Sequence, residues 1–152
     1  MSVPPPHAAT HPWAAGLREA LAAAGADVVE QAVTSPELTR EALTERLREA
    51  AQAELAGVVS LLSLDESAHD APSADNAHAG VSAGLVGTVA LVQALGDAGI
   101  DARLWAVTRG AVATDRADQP ARPAQAQIWG LGPGAGREVP HRGGGLLDRP
   151  TK

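Results

Sequence analysis

The chain predicts an α/β domain, a parallel sheet with helices on both faces. Three observations lead there. Gly57-Val58-Val59-Ser60-Leu61-Leu62-Ser63-Leu64 is a nearly continuous apolar run closed by Asp65-Glu66-Ser67. It is too short for a core helix and rich in Val and Leu, as a strand buried on both faces requires. Helical patterns flank it over 38–55 and 81–95, and a second strand-like run follows at Arg103-Leu104-Trp105-Ala106-Val107-Thr108.

Taken in order, residues 1–11 are Pro-rich, and Pro4, Pro5 and Pro6 cannot donate ladder hydrogen bonds. This segment is expected to be disordered or extended, with no interior strand. Pro12 suits the first helical position after Thr10 or His11 as cap, with Trp13, Leu17 and Leu21 at helical spacing and Gly25 as a left-handed stop. Residues 26–33 form a more polar strand candidate, nearer an edge. Ser35-Pro36-Glu37 reads as a helix start, since a cap residue, a proline and an acid suit the positive end of the helix dipole. Leu38, Leu43, Leu47, Ala51 and Leu55 mark its buried stripe, and Arg40, Glu41, Glu45, Arg46, Arg48 and Glu49 its wet side.

Beyond the central strand, 65–79 is an acidic loop. Gly80, Gly84 and Gly87 then lie on or near one side of a helix, where glycine costs stability unless a close approach to the sheet requires it. The 103–108 strand is broken by Arg109-Gly110, 115–123 is a polar loop, 124–131 a short helix and 144–148 a last short strand.

Composition narrows the function. The chain has 152 residues, enough for one domain, with 45% hydrophobic but only 2% aromatic residues, so Ala, Leu and Val must build the core. The net charge of −6, without any Lys/Arg cluster, gives no basic field for nucleic acid. There is no Cys, hence no disulfide, thiol nucleophile or zinc-thiolate site, which suits a reducing cytoplasm. No signal peptide opens the chain, and no apolar span reaches the roughly 20 residues a membrane helix needs.

Candidate chemistry is sparse. Gly130, Gly132 and Ala135 fit the bare dinucleotide spacing, but no strand leads into them and Pro133 interrupts, so the 130–136 segment reads as a flexible glycine-rich turn. His7 and His11 are four apart but sit beside prolines. His69, Asp70, Asp75 and His78 read as a solvated loop rather than a metal site. Ser60 and Ser63 lack a nucleophile elbow. Thr108-Arg109-Gly110 lies where a strand's carboxyl end holds ligands in α/β folds, which makes Arg109 the charge of most interest, as an anion site or as a capping or domain contact. There is no Tyr, and Lys152 is the sole Lys, so Tyr-Lys proton donation to a reduced ketone is beyond this polypeptide alone.

Five stretches carry a resemblance. They are 53–67 around Val58-Val59-Ser60-Leu61-Leu62, 84–99 around Gly84-Leu85-Val86-Gly87-Thr88, and 104–112 around Trp105-Ala106-Val107-Thr108-Arg109-Gly110. The others are 124–132 with Ile128-Trp129-Gly130-Leu131-Gly132, and 144–148 with Leu146-Leu147-Asp148. Together, across 13–150, they resemble the amino-terminal, structural half of the ketoreductase region of modular type I polyketide synthases. The resemblance implies a truncated Rossmann-like fold over 12–150 that binds no NADPH itself and braces a catalytic half, where the cofactor and the Ser-Tyr-Lys chemistry reside. It transfers no catalytic, cofactor-binding or metal-binding residue. Trp105, Arg109 and Trp129 are the candidate contacts to that half, core packing being the competing role for both Trp.

Three departures from the family pattern stand out. Residues 1–11 replace its first apolar strand, Pro133-Gly134-Ala135-Gly136 should break the helix after Trp129, and the chain stops at Lys152, as a fragment would. Without a first strand, the sheet edge would be uncovered and the isolated chain marginally stable or dependent on a partner. The expected partners are the ketoreductase catalytic half or other parts of a synthase module, in the cytoplasm, with no nucleic acid or membrane. The competing readings are a free-standing nucleotide binder or enzyme using the turn from Gly130 to Gly136, and a nonfunctional gene remnant.

Overall fold

The computed structural model describes residues 2–3, 12–34, 37–51, 54–67, 81–112, 122–138 and 143–149. In chain order they form β1 (Ser2–Val3), α1 (Pro12–Ala23), α2 (Arg40–Ala50), β2 (Gly57–Ser60), a 3₁₀ turn (Leu62–Leu64), α3 (Ala83–Asp97), β3 (Arg103–Arg109), α4 (Pro123–Glu138) and β4 (Gly143–Arg149). The strands make one parallel sheet in the order β1-β2-β3-β4. This is the α/β, Rossmann-like arrangement the sequence predicts.

Side-chain alternation sorts the sheet into two faces. Val58 and Leu104, register partners on β2 and β3, belong to one apolar cluster with Leu43 and Leu47 of α2 and with Ala90, Leu91, Ala94 and Leu95 of α3. Val58, Leu47, Leu91 and Leu95 are essentially inaccessible to water. Burying each such side chain stabilises the fold by about 1.5–3 kcal/mol relative to exposure. α3 packs against both α2 and α4, while among the described residues α1 meets the other elements only marginally. The opposite face carries Val59 and Trp105 half-buried and Leu147 50% exposed.

Two glycines allow close backbone approach, one between α3 and the 3₁₀ turn and one between neighbouring strands. At Gly84 of α3 a Cβ would lie 2.5 Å from the carbonyl oxygen of Leu62 and 2.6 Å from that of Asp65. At Gly144 it would lie 2.0 Å from the Leu104 carbonyl oxygen, where the β3–β4 register shifts by a residue. The expectation that α3's glycines serve close approach is met at Gly84, although the neighbour is the 3₁₀ turn rather than a strand.

The structure corrects several boundaries. The first strand is present as a stub: Ser2 and Val3 pair with Val59 and Ser60, because a strand that precedes Pro4 loses no ladder donor. Residues 4–11 lie outside the described ones. The 26–33 strand is not formed and only Glu30 makes an isolated bridge. That stretch packs instead of pairing, with Val33 buried in the core cluster and Val29 exposed. α2 starts later than expected, with Thr39 as cap accepting from the Ala42 amide; Ser35 and Pro36 lie outside the described residues. Its end comes at Ala50, short of Leu55. The central strand stops at Ser60, since Leu61, Leu62 and Ser63 bend under α3 into the 3₁₀ turn, and the Ser63 hydroxyl donates to the Val107 carbonyl.

The largest correction concerns the glycine-rich segment. It is neither a turn nor a break, because α4 runs from Pro123 through Pro133 to Glu138. A proline removes one intrahelical hydrogen bond and bends a helix, and the helix persists when the residues on either side keep theirs.

Candidate functional site at the carboxyl edge of the sheet

Parallel α/β sheets hold ligands beyond the carboxyl ends of their strands. Here that edge comprises the ends of β3 and β4, the 3₁₀ turn and the first turns of α4. Thr108, fully buried, is its hub. Its hydroxyl accepts from the Trp129 indole Nε1 at 3.0 Å and donates to Asp148 Oδ1 at 2.7 Å. Thr108 and Asp148 face each other because β3 and β4 pair in that register.

Asp148 does more than pair with Thr108. Its Oδ1 also accepts from the Ala111 amide at 3.0 Å, and its Oδ2 from the Val112 amide at 3.1 Å. Gly110, with φ of 64°, takes the left-handed turn that brings those two amides round. The Gly110 amide itself donates to the Arg149 carbonyl at 2.8 Å.

A second branch begins at Arg109, whose amide donates to Oε1 of buried Gln125 at 2.7 Å. Gln125 Nε2 then reaches Glu66 Oε1 at 3.1 Å, and the other Glu66 oxygen pairs with the Arg122 guanidinium. Among the described residues these groups satisfy one another, and the Ala111 and Val112 amides already hold a carboxylate.

The three sequence-predicted contact residues do not form one surface. Trp105 and Arg109 share a face of β3 by the two-residue period, and Thr108, the partner of Trp129, is on the other. Trp105 lies half-buried against the Gly145 backbone, where a Cβ would come 2.8 Å from its ring. Gly145 holds φ of 156° there. Trp129, half-buried, is tied into the edge network. Sequence reasoning missed Glu66, Arg122, Gln125 and Asp148. The available signal was Asp148 near the end of a strand aligned with the Thr108-Arg109-Gly110 break.

Other candidates fare differently. Gly130, Gly132, Gly134 and Gly136 lie inside α4, well past its start at Pro123. A dinucleotide fingerprint needs its glycines between a strand end and a helix start, so the nucleotide-binding turn is not formed here. His7, His11, His69, Asp70, Asp75 and His78 lie outside the described residues. Among the described residues no cluster of His, Asp or Glu is arranged to hold a metal ion, and no helix is long and apolar enough to cross a membrane.

Away from the edge, ion pairs tie the helices. Arg40 of α2 grips both oxygens of Asp97 at the end of α3, and this holds the Asp97 carboxyl below its ordinary range. Glu37 accepts from the Thr34 hydroxyl and amide and from Arg46, which lowers its pKa from the ordinary 4.5 to about 2.

The sequence matches the family model described as the Rossmann fold domain of the polyketide synthase extender module SpnB over residues 3–150. It is 46% identical over 142 residues to polyketide synthase GfsA of Streptomyces halstedii, a match covering 90% of this chain and 2% of the relative. It is 47% identical over 141 residues to the pikromycin polyketide synthase component PikAII of Streptomyces venezuelae, covering 91% of this chain and 4% of that one. The fold superposes on a C2-type ketoreductase from a modular polyketide synthase with a TM-score of 0.84 and 43% identity, covering 99% of this chain and 32% of that structure. An A1-type ketoreductase gives a TM-score of 0.79 at 38% identity, covering 98% of this chain and 29% of that structure. The chain therefore spans about a third of these ketoreductases and a few per cent of the synthases. With its parallel sheet, matched strings and structural neighbours all agreeing, the chain belongs to the Rossmann fold domain family of polyketide synthase extender modules, the amino-terminal structural subdomain of their ketoreductase region.

Proposed function

We propose that this chain is a noncatalytic bracing unit of a polyketide synthase ketoreductase, which supports an NADPH-binding catalytic half in the cytoplasm and holds no cofactor of its own. The observation that carries the reading is the Asp148 carboxylate on the Ala111 and Val112 amides. Those donors lie beyond the carboxyl end of β3, the edge where α/β sheets hold ligands, and they are already occupied by the chain itself. The glycine-rich segment at Gly130, Gly132 and Ala135 is helical, so the one stretch with dinucleotide spacing offers no phosphate-binding turn. A ketoreduction step also lacks its proton donor, with no Tyr in the sequence and Lys152 its sole Lys. The absence of Cys agrees with a reducing compartment.

Titrating the purified chain with NADPH while following cofactor fluorescence tests this directly. The signal should stay that of free cofactor, and no ketone should be reduced. Mixing the chain with a ketoreductase catalytic half should raise the melting temperature of that half. Saturable NADPH binding by the chain alone would overturn the reading.

A further inference from the structure

We propose that Asp148 is an internal ligand: its carboxylate fills an oxyanion site in the turn after β3, and a chain without that carboxylate binds phosphate there. The inference rests on the bracing role proposed above and names the group that keeps this edge closed.

Three donors converge on one carboxylate. They are the Thr108 hydroxyl at 2.7 Å, the Ala111 amide at 3.0 Å and the Val112 amide at 3.1 Å. Two successive amides after a left-handed residue form a concavity that recognises anionic oxygens, and Gly110 supplies that residue. Asp148 reaches the concavity from β4, a separate strand, through the register that sets it beside Thr108. The concavity therefore belongs to the β3 turn, and its occupant comes from elsewhere in the chain.

The surroundings fit a small tetrahedral anion. Ala111 is buried, so its amide has little other recourse, and the Thr108 hydroxyl has only the longer alternative of the Leu147 carbonyl at 3.5 Å. Val112 is 42% exposed and leaves an approach from solvent. A phosphate oxygen pair can bridge the two amides as the two carboxylate oxygens do. The chemistry is shared by inorganic phosphate and by the terminal phosphate of a nucleotide.

The test compares the full chain and its Asp148→Ala variant by amide NMR at constant ionic strength, chloride serving as the blank. Inorganic phosphate should shift the Ala111 and Val112 amides of the variant saturably, at least tenfold more tightly than in the parent, and should raise the variant's melting temperature but not the parent's. ADP in a second arm shows whether the site admits a nucleotide. A folded variant whose two amides respond no more than the parent's overturns the proposal. If Asp148→Ala folds only with phosphate added, the proposal is supported. If it does not fold at all, Asp148→Asn takes the same melting test, and failure of phosphate to stabilise it overturns the proposal. Phosphate held at these amides by the parent as tightly as by the variant also overturns the proposal, whereas NADPH binding by the parent chain would sink the bracing role, so the two failures are distinct.

Discussion

Replacing Gly84 by alanine adds one methyl group at the closest approach between helix and turn in the fold. That carbon would lie 2.5 Å from the Leu62 carbonyl oxygen, 2.6 Å from that of Asp65 and 3.1 Å from the Ser63 Cα. All three are backbone atoms, so no side chain can swing aside, and α3 must lift from the 3₁₀ turn by the better part of an ångström. Overpacking of this kind costs about 1–3 kcal/mol, occasionally more. Against it stands the helix propensity of alanine over glycine, about 1 kcal/mol in favour. The Gly84 amide also donates to the Asp65 carbonyl at 2.9 Å, a bond the lift would stretch. The overpacking and propensity terms leave a net loss of about 0–2 kcal/mol, and the stretched amide bond moves it toward the upper end.

Two sibling substitutions calibrate the result. A Cβ at Gly87 would meet the ends of the Leu38 and Leu62 side chains, at 3.0 and 3.4 Å, which can give way, so Gly87→Ala should be near neutral. Gly130 has nothing within 4 Å, so Gly130→Ala in α4 should stabilise the chain by about 0.5–1 kcal/mol. Urea denaturation reads the series directly: the midpoint should rank Gly130→Ala above parent, and Gly84→Ala lowest, with unchanged slope. In heat the spread should be about 2–4 °C per kcal/mol for a chain of this size. A Gly84→Ala protein as stable as its parent would refute the packing argument.

Further outcomes follow from the polar contacts. The Glu37 carboxyl has a folded-state pKa of about 2 against an ordinary 4.5. The unfolded chain therefore takes up the proton first as pH falls, so Glu37's contribution is whole above about 4.5 and lost toward about 2. Glu37→Gln should lower stability at neutral pH and flatten its decline in acid; stability curves for variant and parent that stay parallel would contradict this. Thr108→Val should cost about 1–3 kcal/mol, because it strips the Trp129 indole of its acceptor and Asp148 of one donor in a buried setting. The Trp129 indole proton should then exchange faster in NMR, and Thr108→Ser should restore protection; an unchanged exchange rate in Thr108→Val would contradict the network.

The sequence by itself determined the elements whose pattern is local and repeated. The α/β class, the 103–108 strand and the buried stripe through Leu43 and Leu47 all follow from apolar periodicity, which burial selects whatever the neighbours. The resemblance to the structural half of a ketoreductase was legible in the strings themselves, and the missing Tyr set the expectation that the chain does not itself protonate a reduced ketone. What only the tertiary structure decided depends on partners far apart in the chain. Residues 26–33 have strand-like composition, yet it is β1 that pairs with Val59 and Ser60 of β2. The 130–136 segment has the glycines of a turn, yet it continues a helix that begins at Pro123. Asp148 looks like an ordinary strand-end acid until parallel pairing places it on the amides of Ala111 and Val112, 37 and 36 residues away. Local propensity is a matter of tenths to one kcal/mol per residue, and long-range pairing and burial outweigh it wherever the two disagree.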